Sequence, residues 1–192
     1  EGLHAGISGL EHYTLLPDAF FIDLQNLRES ELAHLCARVG LSDTQKWLAS
    51  HPSLAAHCAS NSFTVTSRLK DFVEYRNEAA HGATHVDEVL GFTESLLLHE
   101  FIYLLCEALG QFVLWNLCRE ALVQNKCQQL GTTTEYYKRP DASIIKMTES
   151  ELALGDIIVI RGPTECYQAR VQSLQVNGTN VDSIQASNGQ EI

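Results

Sequence analysis

Residues 101–118 read FIYLLCEALGQFVLWNLC, the longest apolar run in the chain. A helix built from this run is apolar on nearly every face. It must therefore be covered by other helices or by a second copy, and that need sets the centre about which the remaining sequence packs. The run is about the minimum length for crossing a bilayer. Glu107, Gln111 and Asn116 interrupt it, however, and Glu100 and Arg119 flank it closely. A carboxylate at mid-span costs about 2.5–3.5 kcal/mol on insertion scales. We expect a buried or dimer-forming helix from about Thr93 to the Gln128–Gln129 region and no membrane partner. Gly110 is its expected packing point or kink.

The character of the chain changes near residue 130. Before it, apolar residues recur at helical spacing. Leu32, Leu35, Cys36 and Val39 share one face that stops at Gly40. Ser42 with Gln45 has the pattern of a capping box, and Pro52 suits a first helical position. A further helix is expected from about Thr66 to His81, and Thr84 with Asp87 marks another capped start. Beyond 130, residues 131–141 (GTTTEYYKRPD) read as a polar linker. Ile144-Ile145, Ile157–Ile160 and the alternating run Tyr167–Val176 then read as strands, with turn signals at Gly155-Asp156, Asn177-Gly178 and Asn188-Gly189. The fold class expected is α+β: a helical bundle over 1–130, a linker over 131–141 and a small β-barrel over 142–192. A last strand would begin at Glu191-Ile192, so the barrel reads as truncated.

Charge limits the possible partners. The formal net charge is −11, with 13 Lys and Arg against 24 Asp and Glu. Residues 1–130 hold 8 against 16 and residues 131–192 hold 5 against 8, so neither part is basic. Tight, sequence-blind binding of nucleic acid draws on many neutralised phosphates and is excluded by this balance. The cysteines at 36, 58, 106, 118, 127 and 166 form no Cys-x-x-Cys pair. They read as buried free thiols of a cytoplasmic protein, not as a zinc site or a disulfide framework. The opening Glu1-Gly2-Leu3-His4 carries no cationic stretch leading into an apolar one, so no secretory signal is expected there.

One stretch carries chemistry: Leu69-Lys-Asp-Phe-Val-Glu-Tyr-Arg-Asn-Glu-Ala-Ala-His-Gly82. At about 100° per residue, Leu69, Phe72, Val73 and Ala80 form an apolar stripe, and Arg76 lies about 20° from its centre. A guanidinium within such a stripe is costly unless it is paired or faces a cleft. Asn77 and His81 are four apart and therefore neighbours, which lets Asn77 orient the imidazole. A bridge from Arg76 to a buried carboxylate such as Glu107 is the competing structural role. Around Arg76 there is no carboxylate cluster for a metal, no Gly-rich phosphate loop and no Ser-His-Asp arrangement, so neither metal nor cofactor is expected. Arginine with histidine suits RNA cleavage through the 2′-hydroxyl. Histidine moves the proton and arginine meets the charge that builds on the phosphate.

Arg76-Asn-Glu-Ala-Ala-His81 resembles the R-x4–6-H signature of the HEPN superfamily, and the resemblance spans roughly residues 1–130. It implies an all-α, commonly dimeric bundle. Many members are metal-independent ribonucleases of toxin–antitoxin and phage-defence systems that leave a 2′,3′-cyclic phosphate. It implies Arg76 and His81 as catalytic residues and Asn77 as an auxiliary, substrate-binding one. The implied partners are RNA, a second copy of the chain, and an antitoxin or other regulator. One subgroup carries a tyrosine two residues after the histidine, where this chain has Ala83. A non-catalytic dimerisation module, or a nucleotide-binding regulatory domain, is the alternative use of the same residues. The segments Gly155-Asp-Ile-Ile-Val-Ile160, Tyr167–Gln175 and Ala186–Ile192 resemble the β-barrel second domain of translational GTPases. Trp115 reads as core, and Arg161 and Arg170 as scattered surface charges.

Overall fold

The computed structural model describes residues 28–81, 91–137, 139 and 142–186. Five helices are described: α1 (Glu29–Arg38), α2 (Thr44–Ser50), α3 (Pro52–Ser60), α4 (Val65–His81) and α5 (Phe92–Val123). Eight strands follow: β1 (Gly131–Tyr137), β2 (Ala142–Met147), β3 (Ser150–Ala153), β4 (Ile157–Arg161), β5 (Cys166–Arg170), β6 (Leu174–Val176), β7 (Thr179–Val181) and β8 (Ser183–Ala186). The α+β class expected from the sequence is the class observed. The chain divides into two compact units, residues 1–110 and 111–192, with the division part-way along α5.

Local chemistry accounts for the helix ends. Gly40 takes φ +82° after α1, and the amides of Gly40 and Leu41 return to the carbonyls of Ala37 and Cys36 at 3.0 and 2.9 Å. That is the glycine-terminated helix the sequence signals. Pro52 opens α3 as expected. The Ser42–Gln45 box does not form: Asp43, in the left-handed region, precedes α2 without a side-chain cap. A reciprocal cap opens α4 instead, where Ser67 N donates to Thr64 Oγ1 at 3.1 Å and Thr64 N donates to Ser67 Oγ at 3.0 Å. At the end of α5 the left-handed residue is Asn125, and Lys126 N reaches Ala121 O at 2.8 Å. The helix thus stops five residues before the Gln128 expected from the sequence.

In the first unit the core comprises Trp47 and Leu48 of α2, Leu54 and Cys58 of α3, Val65, Leu69 and Val73 of α4, and Phe101, Leu105 and Ala108 of α5. Trp47 Nε1 donates to the Ala108 carbonyl at 2.8 Å, fixing α2 to α5. The Thr66 hydroxyl donates to the Glu29 carboxylate, joining α4 to α1. The α4–α5 contact is ionic at its start. Arg68, only 5% exposed, places Nη1 2.5 Å from Glu94 Oε1 in the first turn of α5 and 3.8 Å from Asp71. Its guanidinium lies 5.1 Å from the centroid of Phe63, whose ring meets His57 and Phe101 edge-on. Glu94 also suits the positive end of the α5 dipole.

By length and composition, α5 is the one described helix able to cross a membrane. Its buried residues Phe101, Leu105, Ala108, Phe112 and Asn116 follow helical spacing. Phe92, Leu96, Tyr103, Val113 and Leu117 are exposed, so the described residues supply only part of the cover that the sequence demands. Gly110 has open space where a Cβ would stand, so it is no packing point.

The second unit departs from the sequence reading in two ways. Residues 131–137, expected in the linker, form β1 and pair antiparallel with β2, with a register shift between Thr133 and Glu135. The strands expected in a barrel pair, among the described residues, as four two-stranded antiparallel ladders: β1–β2, β3–β8, β4–β5 and β6–β7. The alternating run 167–176 is split into β5 and β6. Met147, Leu152, Leu174, Ile184 and Ala186 form the core they enclose. Asn177 and Gly178, both at positive φ, make the two-residue β6–β7 turn that their sequence signals. The other turn signal at 188–189, the capped start at Thr84 and the terminal Glu191-Ile192 lie outside the described residues.

All six cysteines are free, but only Cys58 and Cys166 are buried, while Cys106 and Cys127 are exposed. Burial pushes the Cys166 thiol up to about 11, with the neighbouring Cys118 adding to the rise, and burial also raises Cys58. The folded thiol of Cys166 titrates above its unfolded value of 9.0, so its stabilising contribution holds below 9.0 and is lost as pH rises through about 11. A disulfide-exchange reagent at pH 8 should label Cys106 and Cys127 first, and Cys58 and Cys166 only after denaturant is added. Rapid labelling of all six thiols in the native protein would contradict the burial.

The Arg68–Glu94 pair gives a second prediction. Glu94→Gln leaves a buried guanidinium with its main carboxylate gone, which should cost about 3 kcal/mol. Arg68→Met leaves a carboxylate that is 38% exposed and can hydrate, so a loss nearer 1 kcal/mol is expected. Urea unfolding of the two variants tests the order, and a larger loss in Arg68→Met would refute it.

Candidate functional site

The singled-out residues lie at the C-terminal end of α4. Its first half is buried through Val65, Arg68, Leu69 and Val73. The same angular ridge then leaves its cover: Phe72 is half-buried, and Arg76 and Ala80 are exposed. The apolar stripe expected to run from Leu69 to Ala80 is therefore buried only as far as Val73. Arg76 has the angular position of a core residue and the exposure of a surface one, because burial ends where the packing helices end. Glu107, the carboxylate named for the competing bridge, is itself exposed.

Arg76 and Asn77 are brought together. Nη2 of Arg76 donates to Oδ1 of Asn77 at 2.7 Å, and Asn77 is half-buried. The amide oxygen of Asn77 thus steers the guanidinium of Arg76, while the expected contact from Asn77 to His81 involves a side chain outside the described residues. His81 closes α4 as its last residue, and its side chain lies outside the described residues. Along one helix, positions five apart diverge by about 140°. The last turn of a helix also favours positive charge, since its carbonyl ends carry the negative pole.

Sequence reasoning misses a second group of polar side chains in the first unit. His51 is 1% exposed, and neither ring nitrogen meets a hydrogen-bond partner among the described residues. His57 places Nδ1 3.7 Å from Glu100 Oε2. Arg68 lies on the flank of the α4 stripe, about 100° from Leu69. That flanking position is the available signal, and the more central Arg76 overshadows it. Arg68 is held by Glu94 and stacked on Phe63, so its chemistry is already committed to packing.

Among the described residues, no group of three or more His, Cys, Asp or Glu is arranged to hold a metal ion. The end of α4 offers a solvent-accessible guanidinium oriented by Asn77, with a histidine as the last residue of the same helix. That combination can bind a phosphate and, with the imidazole, transfer a proton.

Residues 13–114 match the family described as RiboL-PSP-HEPN, a span that includes all of α4 and its Arg76–His81 segment. No curated protein and no solved structure matches the chain. The family match covers more than half of the sequence and the whole of the described first unit: the chain belongs to the RiboL-PSP-HEPN family of HEPN domains.

Proposed function

We propose that this protein is a metal-independent endoribonuclease that acts as a homodimer, with Arg76 and His81 catalytic and Asn77 auxiliary. The observation that carries the reading is Arg76 itself: a guanidinium in line with a buried ridge, yet exposed and steered by Asn77. A surface arginine needs no such clamp, whereas one that must meet a developing charge gains from being pre-oriented. HEPN domains are often ribonucleases, which gives this chemistry its class.

In the proposed reaction His81 takes the proton from a ribose 2′-hydroxyl, and the oxygen attacks the adjacent phosphorus. A second imidazolium, from His81 of the other copy, protonates the departing 5′-oxygen. Arg76 meets the negative charge on the non-bridging oxygens. The products are a 2′,3′-cyclic phosphate and a 5′-hydroxyl. A dimer resolves the 140° divergence of the two positions, because pairing the open ends of two α4 helices gathers two arginines and two histidines into one groove. The exposed apolar residues Phe92, Leu96 and Tyr103 of α5 supply area for such pairing. We assign the protein to the cytoplasm as a toxin or phage-defence effector restrained by an antitoxin or other regulator.

Two measurements test this. In EDTA, the wild type should cut single-stranded RNA to cyclic-phosphate ends, and Arg76→Ala and His81→Ala should each slow cutting by about 10²-fold or more. Intact RNA with the wild type, or cutting by both variants at the wild-type rate, sinks the assignment. In sedimentation or light scattering, the wild type should run as a dimer and Leu96→Asp/Tyr103→Asp as a monomer with cutting abolished, while Arg76→Ala stays dimeric. A wild-type monomer that cuts RNA would remove the dimer from the mechanism.

A further inference from the structure

The second unit holds a pair of cations that the α4 site does not use. Trp115 on α5 is half-buried, and its Nε1 donates to the Gly162 carbonyl at 3.1 Å, which fixes the plane of the indole. Arg119, one turn further along α5, places Cζ 5.5 Å from the ring centroid. Arg161, the last residue of β4, places its Cζ 5.2 Å from the same centroid. Both arginines are exposed. Arg119 meets the carboxylate of its neighbour Glu120 at 3.4 Å, and among the described residues no carboxylate forms an ion pair with Arg161.

Two guanidinium groups that share one indole are an unusual choice in so acidic a chain. Each is attracted to the ring by about 0.5–1 kcal/mol at an exposed site, and the two repel each other. Both distances run to one centroid, so the two Cζ atoms are at most about 11 Å apart. Both guanidinium groups are held near one ring and remain exposed, and a guanidinium is a forked donor that suits phosphate oxygens. Charge is also distributed in its favour. Residues 1–110 hold 6 Lys and Arg against 15 Asp and Glu, a net −9, whereas residues 111–192 hold 7 against 9, a net −2. The second unit therefore repels a polyanion far less than the first.

We infer that Arg119 and Arg161, stacked on Trp115, form a binding site for the phosphodiester backbone of single-stranded RNA. The inference rests on RNA being the substrate class proposed above and deepens it. The catalytic groups and the groups that hold the strand lie in different units of the chain. Arginine planes beside an aromatic ring can also stack on unpaired bases, so single strands fit better than a duplex.

The test is fluorescence anisotropy of the full chain with a labelled, fully 2′-O-methylated single-stranded RNA over a range of salt. Such RNA has no 2′-hydroxyl to attack, so binding is read without cutting. Arg119→Ala/Arg161→Ala should weaken binding about tenfold, with unchanged circular dichroism and Tm. It should also flatten the dependence of log K on log salt by about 0.7 for each phosphate that these arginines neutralise. Lys146→Ala, an exposed charge on β2, should leave binding within twofold. The inference is overturned if the wild type does not bind, if the double variant binds like the wild type, or if Lys146→Ala weakens binding as much. A phosphoserine peptide that binds as tightly, and no longer binds the same double variant, would reassign the surface to a protein partner and also overturn it. A wild type that binds this probe but never cuts unmodified RNA would defeat the nuclease reading and leave the phosphate site standing.

Discussion

The candidate site depends on how α4 is held at its buried end, and the Arg68–Glu94 pair holds it there. The guanidinium is nearly out of water, 2.5 Å from the carboxylate and against the Phe63 ring. Nε and Nη2 of Arg68 have no hydrogen-bond partner among the described residues. Each such buried donor costs about 1–3 kcal/mol. The pair therefore adds little net stability but has only one good geometry, because any slide of α4 along α5 strands a buried charge. Apolar contacts of Val65, Leu69 and Val73 within the first-unit core tolerate small shifts, and the ion pair does not. The register of α4 follows, and with it the height at which Arg76 emerges.

From that register the site arises by running out of cover. Between Val73 and Arg76 the helix advances less than one turn, about 4.5 Å, and passes from core to solvent. This is how a guanidinium can sit at the angular centre of an apolar stripe without a desolvation penalty. The Asn77 amide then does what a packed core would have done: it restricts the arginine to one direction. A dimer partner over the same end would exclude water from around Arg76 and strengthen its interaction with a phosphate.

Much of this is legible in the sequence, and the parts that are not share a cause. The periodicity of Leu69, Phe72 and Val73 reveals the helix and its face, and Gly40, Pro52 and Asn177-Gly178 mark boundaries, because each is set by residues within one turn. Angle on a helix does not report how far along it the neighbours extend, so periodicity alone places Ala80 in the core. Strand β1 reads as linker because every residue after Gly131 is exposed, which removes the alternation that marks a half-buried strand. Its threonines and tyrosines are the remaining signal. Arg68 escapes notice because Glu94 lies in another helix. The Trp115–Arg119 spacing of four is visible, but Arg161 arrives from a strand 42 residues later.

These differences have one form: pairings across distant sequence look like solvent-exposed groups when only neighbours are considered. Arg68 and Arg161 each have a bland place in the sequence because the carboxylate or ring that gives them meaning comes from a distant element. In a chain with a net charge of −11, a cation held by a distant aromatic or carboxylate carries more meaning than one in a basic run. There are 13 Lys and Arg in all, and three of the arginines, at 68, 119 and 161, stack on aromatic rings. Such stacking replaces hydration and fixes direction while keeping the charge. A scarce set of positive groups is thereby made stiff rather than numerous. Stiff, sparse cations favour contact with one or two phosphates at defined positions over broad electrostatic capture. The same acidity that excludes a general nucleic-acid binder is therefore compatible with a nuclease that holds its substrate at few points and cuts at one.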